Sequence, residues 1–131
     1  MKYFSDLNAG WAKLIINSFY YEPSYIINVP MNILDAWEEY QDNGISMINL
    51  FDERDEIYLI ILREKAFVFY PYKENGKIID LEISGFELLK GLVSDIVENI
   101  ELWGDWVCVS KKGVNKNINA LQKRAENLGL V

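Results

Sequence analysis

Between Ile45 and Ile83 four apolar segments, Ile45 to Phe51, Ile57 to Leu62, Phe67 to Tyr72 and Lys77 to Ile83, are separated by short polar turns. Segments this short, rich in β-branched and aromatic side chains, are strands rather than helices. Connections of only a few residues join antiparallel neighbours, so the simplest arrangement is a meander. In the last segment Ile79, Leu81 and Ile83 alternate with Asp80 and Glu82, which puts one face in the core and the other in water. The middle segments are apolar on both parities, the pattern of central strands whose second face is also covered. Glu74-Asn75-Gly76 supplies the hairpin before the last strand, with Gly76 suited to a positive φ.

Helical patterns flank this block. Ser84-Gly85-Phe86-Glu87 has the Ser-x-x-Glu form of a capping box, with Ile83 and Leu88 placed as its hydrophobic staple. Phe86, Leu89, Val93, Ile96, Ile100 and Trp103 then give a long seam at helical spacing, beside an acidic edge of Asp95, Glu98, Glu101 and Asp105. Upstream, Ile33, Leu34, Trp37 and Tyr40 fall on one side of a helix ended by Asn43-Gly44. Leu7, Trp11, Leu14, Ile15, Ser18 and Phe19 predict a first helix running to about Tyr20, before Pro23. Tyr25 to Val29 reads as an edge strand or an extended connector. Trp106 to Ser110 reads as a further strand, and Ile118, Leu121, Ala125 and Leu128 as a last helix closed by Gly129. The expected fold is α+β: an antiparallel meander sheet of four to five strands packed on three to four helices, in a single domain spanning 1–131.

Composition narrows the function classes. Half of the 131 residues are hydrophobic, too many for a disordered chain, and no Pro/Ser-rich linker divides them. The N-terminus lacks the basic and apolar segments of a signal peptide, and no apolar run approaches the ~20 residues of a membrane span, so a cytoplasmic location is expected. A net charge of −7 opposes binding to phosphate backbones. Histidine is absent, which excludes Ser-His-Asp and Cys-His nucleophilic schemes. Neither phosphate-cradling glycine motif occurs. Cys108 stands alone among valines, as a small buried hydrophobe does. Trp11, Trp37 and Trp103 lie on helical stripes and are expected in the core, whereas Trp106 is undecided.

Charge is segregated: Asp35 to Glu56 carries eight acidic residues against Arg54 alone, and Lys111, Lys112, Lys116, Lys123 and Arg124 gather near the C-terminus. Asp35, Glu38, Glu39 and Asp42 form the outer face of the second helix, at spacings where like charges destabilise and with no interleaved base. Asp52, Glu53, Asp55 and Glu56 crowd the turn between the first two strands of the meander. Such a cluster offers a carboxylate pair or hard-metal ligands, but it lacks calcium-loop spacing and is more simply a solvated turn. Tyr70-Pro71-Tyr72 is an edge or bulge by virtue of its proline, and exposed tyrosines there suit a protein contact.

In size, acidity, aromatic content and lack of catalytic groups, with segments such as Asp35-Ala36-Trp37-Glu38-Glu39-Tyr40 and Asp52-Glu53-Arg54-Asp55-Glu56, the chain resembles bacterial polymorphic-toxin and contact-dependent growth inhibition immunity proteins. The resemblance implies a cytoplasmic location and a toxin partner; the missing catalytic motifs point to a non-enzymatic inhibitor without cofactor or metal, expected as a monomer or weak dimer. Its partner would be a cognate basic toxin domain, such as a nuclease, rather than nucleic acid or membrane. The charge segregation and the exposed tyrosines, rather than the resemblance, give the expected contact residues: Asp35, Glu38, Glu39, Asp42, Asp52, Glu53, Asp55, Glu56, Tyr70 and Tyr72. The alternatives are a small carboxylate-dependent hydrolase using Asp52 to Glu56, and a non-catalytic subunit of a larger assembly joined through Tyr70 to Tyr72.

Overall fold

The computed structural model describes residues 1–73, 75–107 and 110–131. The expected roles of Glu74 in the hairpin and of Cys108 in an apolar strand lie outside the described residues. The fold is α+β with two antiparallel sheets: β1 (Phe4–Asn8), β2 (Trp11–Ile16) and β3 (Phe19–Tyr21) in one, and β4 (Ser46–Phe51), β5 (Glu56–Ile61), β6 (Ala66–Tyr70) and β7 (Lys77–Asp80) in the other. Helix α1 (Val29–Asn43) joins the sheets, and α2 (Gly85–Val97), a 3-10 turn (Ile100–Trp103) and α3 (Lys111–Asn127) complete the chain.

The four-stranded meander follows the sequence pattern in order and near-boundaries. Its inner face, with Ile48, Leu50, Ile57, Leu59, Ile61 and Val68 all buried, packs under α1 and α2. Asn28 caps α1, and Gly44 ends it at φ +74°. Ser84 caps α2 by accepting the Glu87 amide at 3.1 Å, as the capping-box spacing predicts. The next residue could be nothing but glycine: a Cβ on Gly85 would lie 1.6 Å from the Leu62 carbonyl oxygen.

The predicted first helix is three strands instead. Two tight hairpins cut the segment: Ala9-Gly10 links paired Asn8 and Trp11 with both φ positive, and Asn17 takes φ +53° between paired Ile16 and Phe19. Between them Ala12, Leu14 and Ile16 are buried, whereas Trp11 and Ile15 are exposed. The operative period is therefore two; the helical spacing of Leu7, Trp11, Leu14 and Ile15 is a coincidence of hairpin length. Trp11 accordingly lies outside the core. Segment 25–28 forms no strand, and α1 begins at Val29.

The long seam after Ser84 is also interrupted. At Asp95 the backbone carbonyl accepts the Asn99 side-chain amide at 3.0 Å and the Trp103 indole at 3.1 Å. Both donors compete with the helical ladder at that carbonyl, and α2 ends at Val97, leaving Ile100 and Trp103 to continue the apolar seam from a 3-10 turn. Asp95 itself is no part of an acidic edge. It is 2% exposed, and its carboxylate accepts the backbone amides of Lys2, Tyr3 and Phe4, pinning the start of β1 to α2. Trp106 and Val107 form a bend rather than the predicted strand, with Trp106 buried and its indole donating to the Ile27 carbonyl at 2.8 Å. The last helix appears as expected, closed by Gly129 at φ +72°. Among the described residues no helix is long and apolar enough to cross a membrane.

Candidate functional site

The two acidic groups picked out by sequence do not form one surface. Helix α1 packs along β4, with its first turn near the β4 end that holds Phe51, whose carbonyl accepts the Ser24 amide, and its last turn near the Ile45 end. Asp42 and the β4–β5 turn thus sit at opposite ends of a six-residue strand, about 20 Å apart at ~3.4 Å per residue.

Nor is the helix face unrelieved. Arg124 of α3 reaches across to Asp35 at 3.0 Å and to Glu38 at 3.3 Å. This corrects the expectation of a stripe with no base against it: the base comes from 89 and 86 residues away in sequence. The bond to Glu38, followed by that to Asp35, holds the Arg124 guanidinium above its ordinary pKa. Two of the four carboxylates are thereby engaged within the chain, while Glu39 and Asp42 remain exposed with no ion pair recorded among the described residues.

The carboxylates of the β4–β5 turn are largely occupied in holding it. Asp52 accepts the amides of Arg54 and Asp55, closing an Asx turn, with Glu53 at φ +72°. Asp55 pairs with Lys73 at 3.5 Å, and its backbone carbonyl accepts the Tyr21 hydroxyl. Glu56 receives the Tyr58 hydroxyl at 2.9 Å and the Asn49 amide at 3.1 Å, both on Oε1. Burial, and then the charges of Asp52 and Asp55 with Tyr70 nearby, push the Tyr21 phenol far above its ordinary pKa. Tyr70 is raised in the same direction, first by burial and then by Asp55 and Asp52. It lies on the inner side of β6, half-buried, so it belongs to the packing between the two sheets rather than to an exposed contact. Among the described residues no group of three or more His, Cys, Asp or Glu is arranged to hold a metal ion. A small, partly open pocket between Trp103, Trp106 and α3 measures about 30 Å³, room for a single water molecule.

What the sequence reading missed is the outer face of the β4–β7 sheet. The register places Phe51 beside Glu56 in one row and Asn49, Tyr58, Phe69 and Ile78 in the next. Met47, Ile60, Phe67 and Asp80 make a third row, and alternation carries Ile45, Leu62 and Lys65 into a fourth. None of these side chains is fully buried, and Met47 and Ile78 are 54% and 62% exposed. The two-parity apolar pattern of β5 and β6 therefore does not mean cover on both faces: α1 and α2 pack on the inner side, the small sheet meets that side at Tyr70 and Ile79, and the contacts among described elements place none on the outer one. Tyr72, 82% exposed, flanks this face. Its phenol adds to the raised pKa of Tyr58, whose main causes are the bond to Glu56 and burial. Of the two tyrosines singled out in sequence, Tyr72 joins the surface and Tyr70 does not. No family model, curated protein or solved structure matches the chain.

Proposed function

We propose that the protein is a non-catalytic binding module of the inhibitor type, holding a protein partner on the outer face of β4–β7. Carrying this reading is the face itself: apolar and aromatic side chains stand in four successive rows on one side of a sheet that the rest of the chain leaves open. Contiguous apolar surfaces beyond a few hundred Å² are uncommon on monomers and mark interaction sites. Aromatic residues such as Tyr58, Phe67 and Phe69 at the centre suit the anchoring role seen in protein interfaces. Glu56, Asp80 and the β4–β5 turn give the rim an acidic character, and a chain of net charge −7 steers a basic partner toward it. Such a partner is what immunity proteins neutralise, and the chain resembles them in its acidity. On the α1 side, Arg124 already engages Asp35 and Glu38, so the helix face is the weaker candidate for contact.

The test is capture from lysate of the source organism at low salt, comparing the native chain with two double variants of equal circular dichroism. Met47→Lys with Ile78→Lys alters only side chains that are more than half exposed, and should abolish capture of a specific basic protein. Glu39→Lys with Asp42→Lys should leave that capture intact. The reverse pattern would refute the sheet-face assignment and restore the helix.

A further inference from the structure

We propose that, while no partner is bound, two copies of this chain close their outer β4–β7 faces on each other about a two-fold axis lying across the strands. The proposal rests on the reading of this face as an interface and names a second occupant for it. Three observations carry it.

The first is where two such chains can touch. Each copy carries −7, so approach is opposed over most of the surface. The outer face is the exception, because its interior rows hold Tyr58, Ile60, Phe67 and Phe69 and its charges stand at the margins.

The second is the placement of those charges. Glu56 lies at one end of β5, and Lys65 lies past its other end, opposite Leu62, whose amide donates to the Lys65 carbonyl at 2.9 Å. A two-fold axis across the strands reverses the strand direction and keeps the strand order. It therefore sets the end row of one copy over the far row of the other, so Glu56 of each copy stands over Leu62 of its mate with Lys65 one strand spacing, about 4.8 Å, to the side and within reach of a lysine side chain, twice over. The hydrogen bonds from Tyr58 and Asn49 both land on Glu56 Oε1, and none to Oε2 is recorded among the described residues. An isologous contact requires this kind of self-complementarity.

The third is size. Four rows on four strands span roughly 20 by 20 Å, on the order of 400 Å² in projection. Side chains standing off the sheet, with Tyr72 at the rim, raise the accessible area toward the ~800 Å² per partner of a standard interface. Two sheets stacked at about 10 Å with strands nearly aligned form an ordinary sandwich. Because both occupants use one face, self-association and partner binding exclude each other.

Sedimentation velocity of the full chain from micromolar to hundreds of micromolar concentration tests this directly. The expected result is a mass that rises from one chain to two. Glu56→Lys and Lys65→Glu should each weaken the dimer about tenfold, as two lost ion pairs of several tenths of a kcal/mol do, and the combined variant should recover most of that loss. Met47→Lys with Ile78→Lys should give a monomer throughout. A single-chain mass at every concentration would overturn the dimer. If the sheet-face variant still lost partner capture, the reading of the face would survive that failure; if it did not, both would fall. A dimer indifferent to all of these variants would place the interface elsewhere and also overturn the proposal, as would a charge reversal that fails to recover.

Discussion

Removing the Asp95 carboxylate should unfasten the N-terminal sheet from α2. The side chain is 2% exposed and accepts three backbone amides, from Lys2, Tyr3 and Phe4, the last two buried at 2.7 and 3.0 Å. In Asp95→Ala the amides of Tyr3 and Phe4 have no replacement partner, and each buried orphan costs about 1–3 kcal/mol. The Lys2 amide is partly exposed and can turn to water, which makes its loss smaller. The sum is about 3–5 kcal/mol, a large fraction of the 5–15 kcal/mol that stabilises a typical domain. With a urea slope of roughly 2 kcal/mol per molar, the unfolding midpoint should fall by about 2 M. Tryptophan fluorescence reports the transition, since Trp103 donates to the backbone of the same residue. Asp95→Asn with its oxygen in the Oδ2 place keeps the bonds from Tyr3 and Phe4 and turns its amide group toward the part-buried Lys2 N–H alone, so it should recover most of the loss, about 2–4 kcal/mol. A midpoint drop below about 0.5 M in Asp95→Ala would show that the amides find water or other partners, and the pinning argument would fail.

Two further outcomes follow from close packing and from charge. Gly85→Ala should lower the melting temperature by about 10 °C or more, because its Cβ meets the Leu62 and Lys65 carbonyls at 1.6 and 2.6 Å and drives α2 off the β5–β6 hairpin; an unchanged melt would refute that contact. The raised phenol of Tyr21 predicts alkaline sensitivity: below about pH 10 the phenol is neutral in both states and costs nothing, and above it the unfolded chain ionises first, so stability falls as pH rises. Tyr21→Phe should flatten the decline of unfolding free energy between about pH 10 and 12, and an identical slope in both proteins would show that Tyr21 does not carry it.

The meander was legible because its short β-branched and aromatic segments are set apart by turns that carry their own chemistry, and the start of α2 because Ser84 and Glu87 act within one turn. The N-terminal segment was not. Leu7, Trp11, Leu14 and Ile15 satisfy a helical period while Ala12, Leu14 and Ile16 satisfy a strand period, and only the pairing of Leu14 with Phe4 and Tyr21 selects between them. The acidic face of α1 was read correctly as a face, yet its partner Arg124 is 89 residues from Asp35. Asp95 looked like one more surface acid, since nothing near it in sequence announces the three amides that surround it. Tyr70 and Tyr72, two residues apart, part company once β6 ends between them.

By itself, then, the sequence determined what short-range forces determine: strand and helix propensity, turn and cap chemistry, an α+β content, and the class of surface that a chain with net charge −7 and no histidine presents. The tertiary structure alone decided which side of each element meets the core. A strand apolar on both parities is the same string whether one or two layers cover it. Here α1 and α2 pack on the inner side of β4–β7 and share one apolar core with the small sheet. The outer face of β4–β7 is left without a covering element among the described residues.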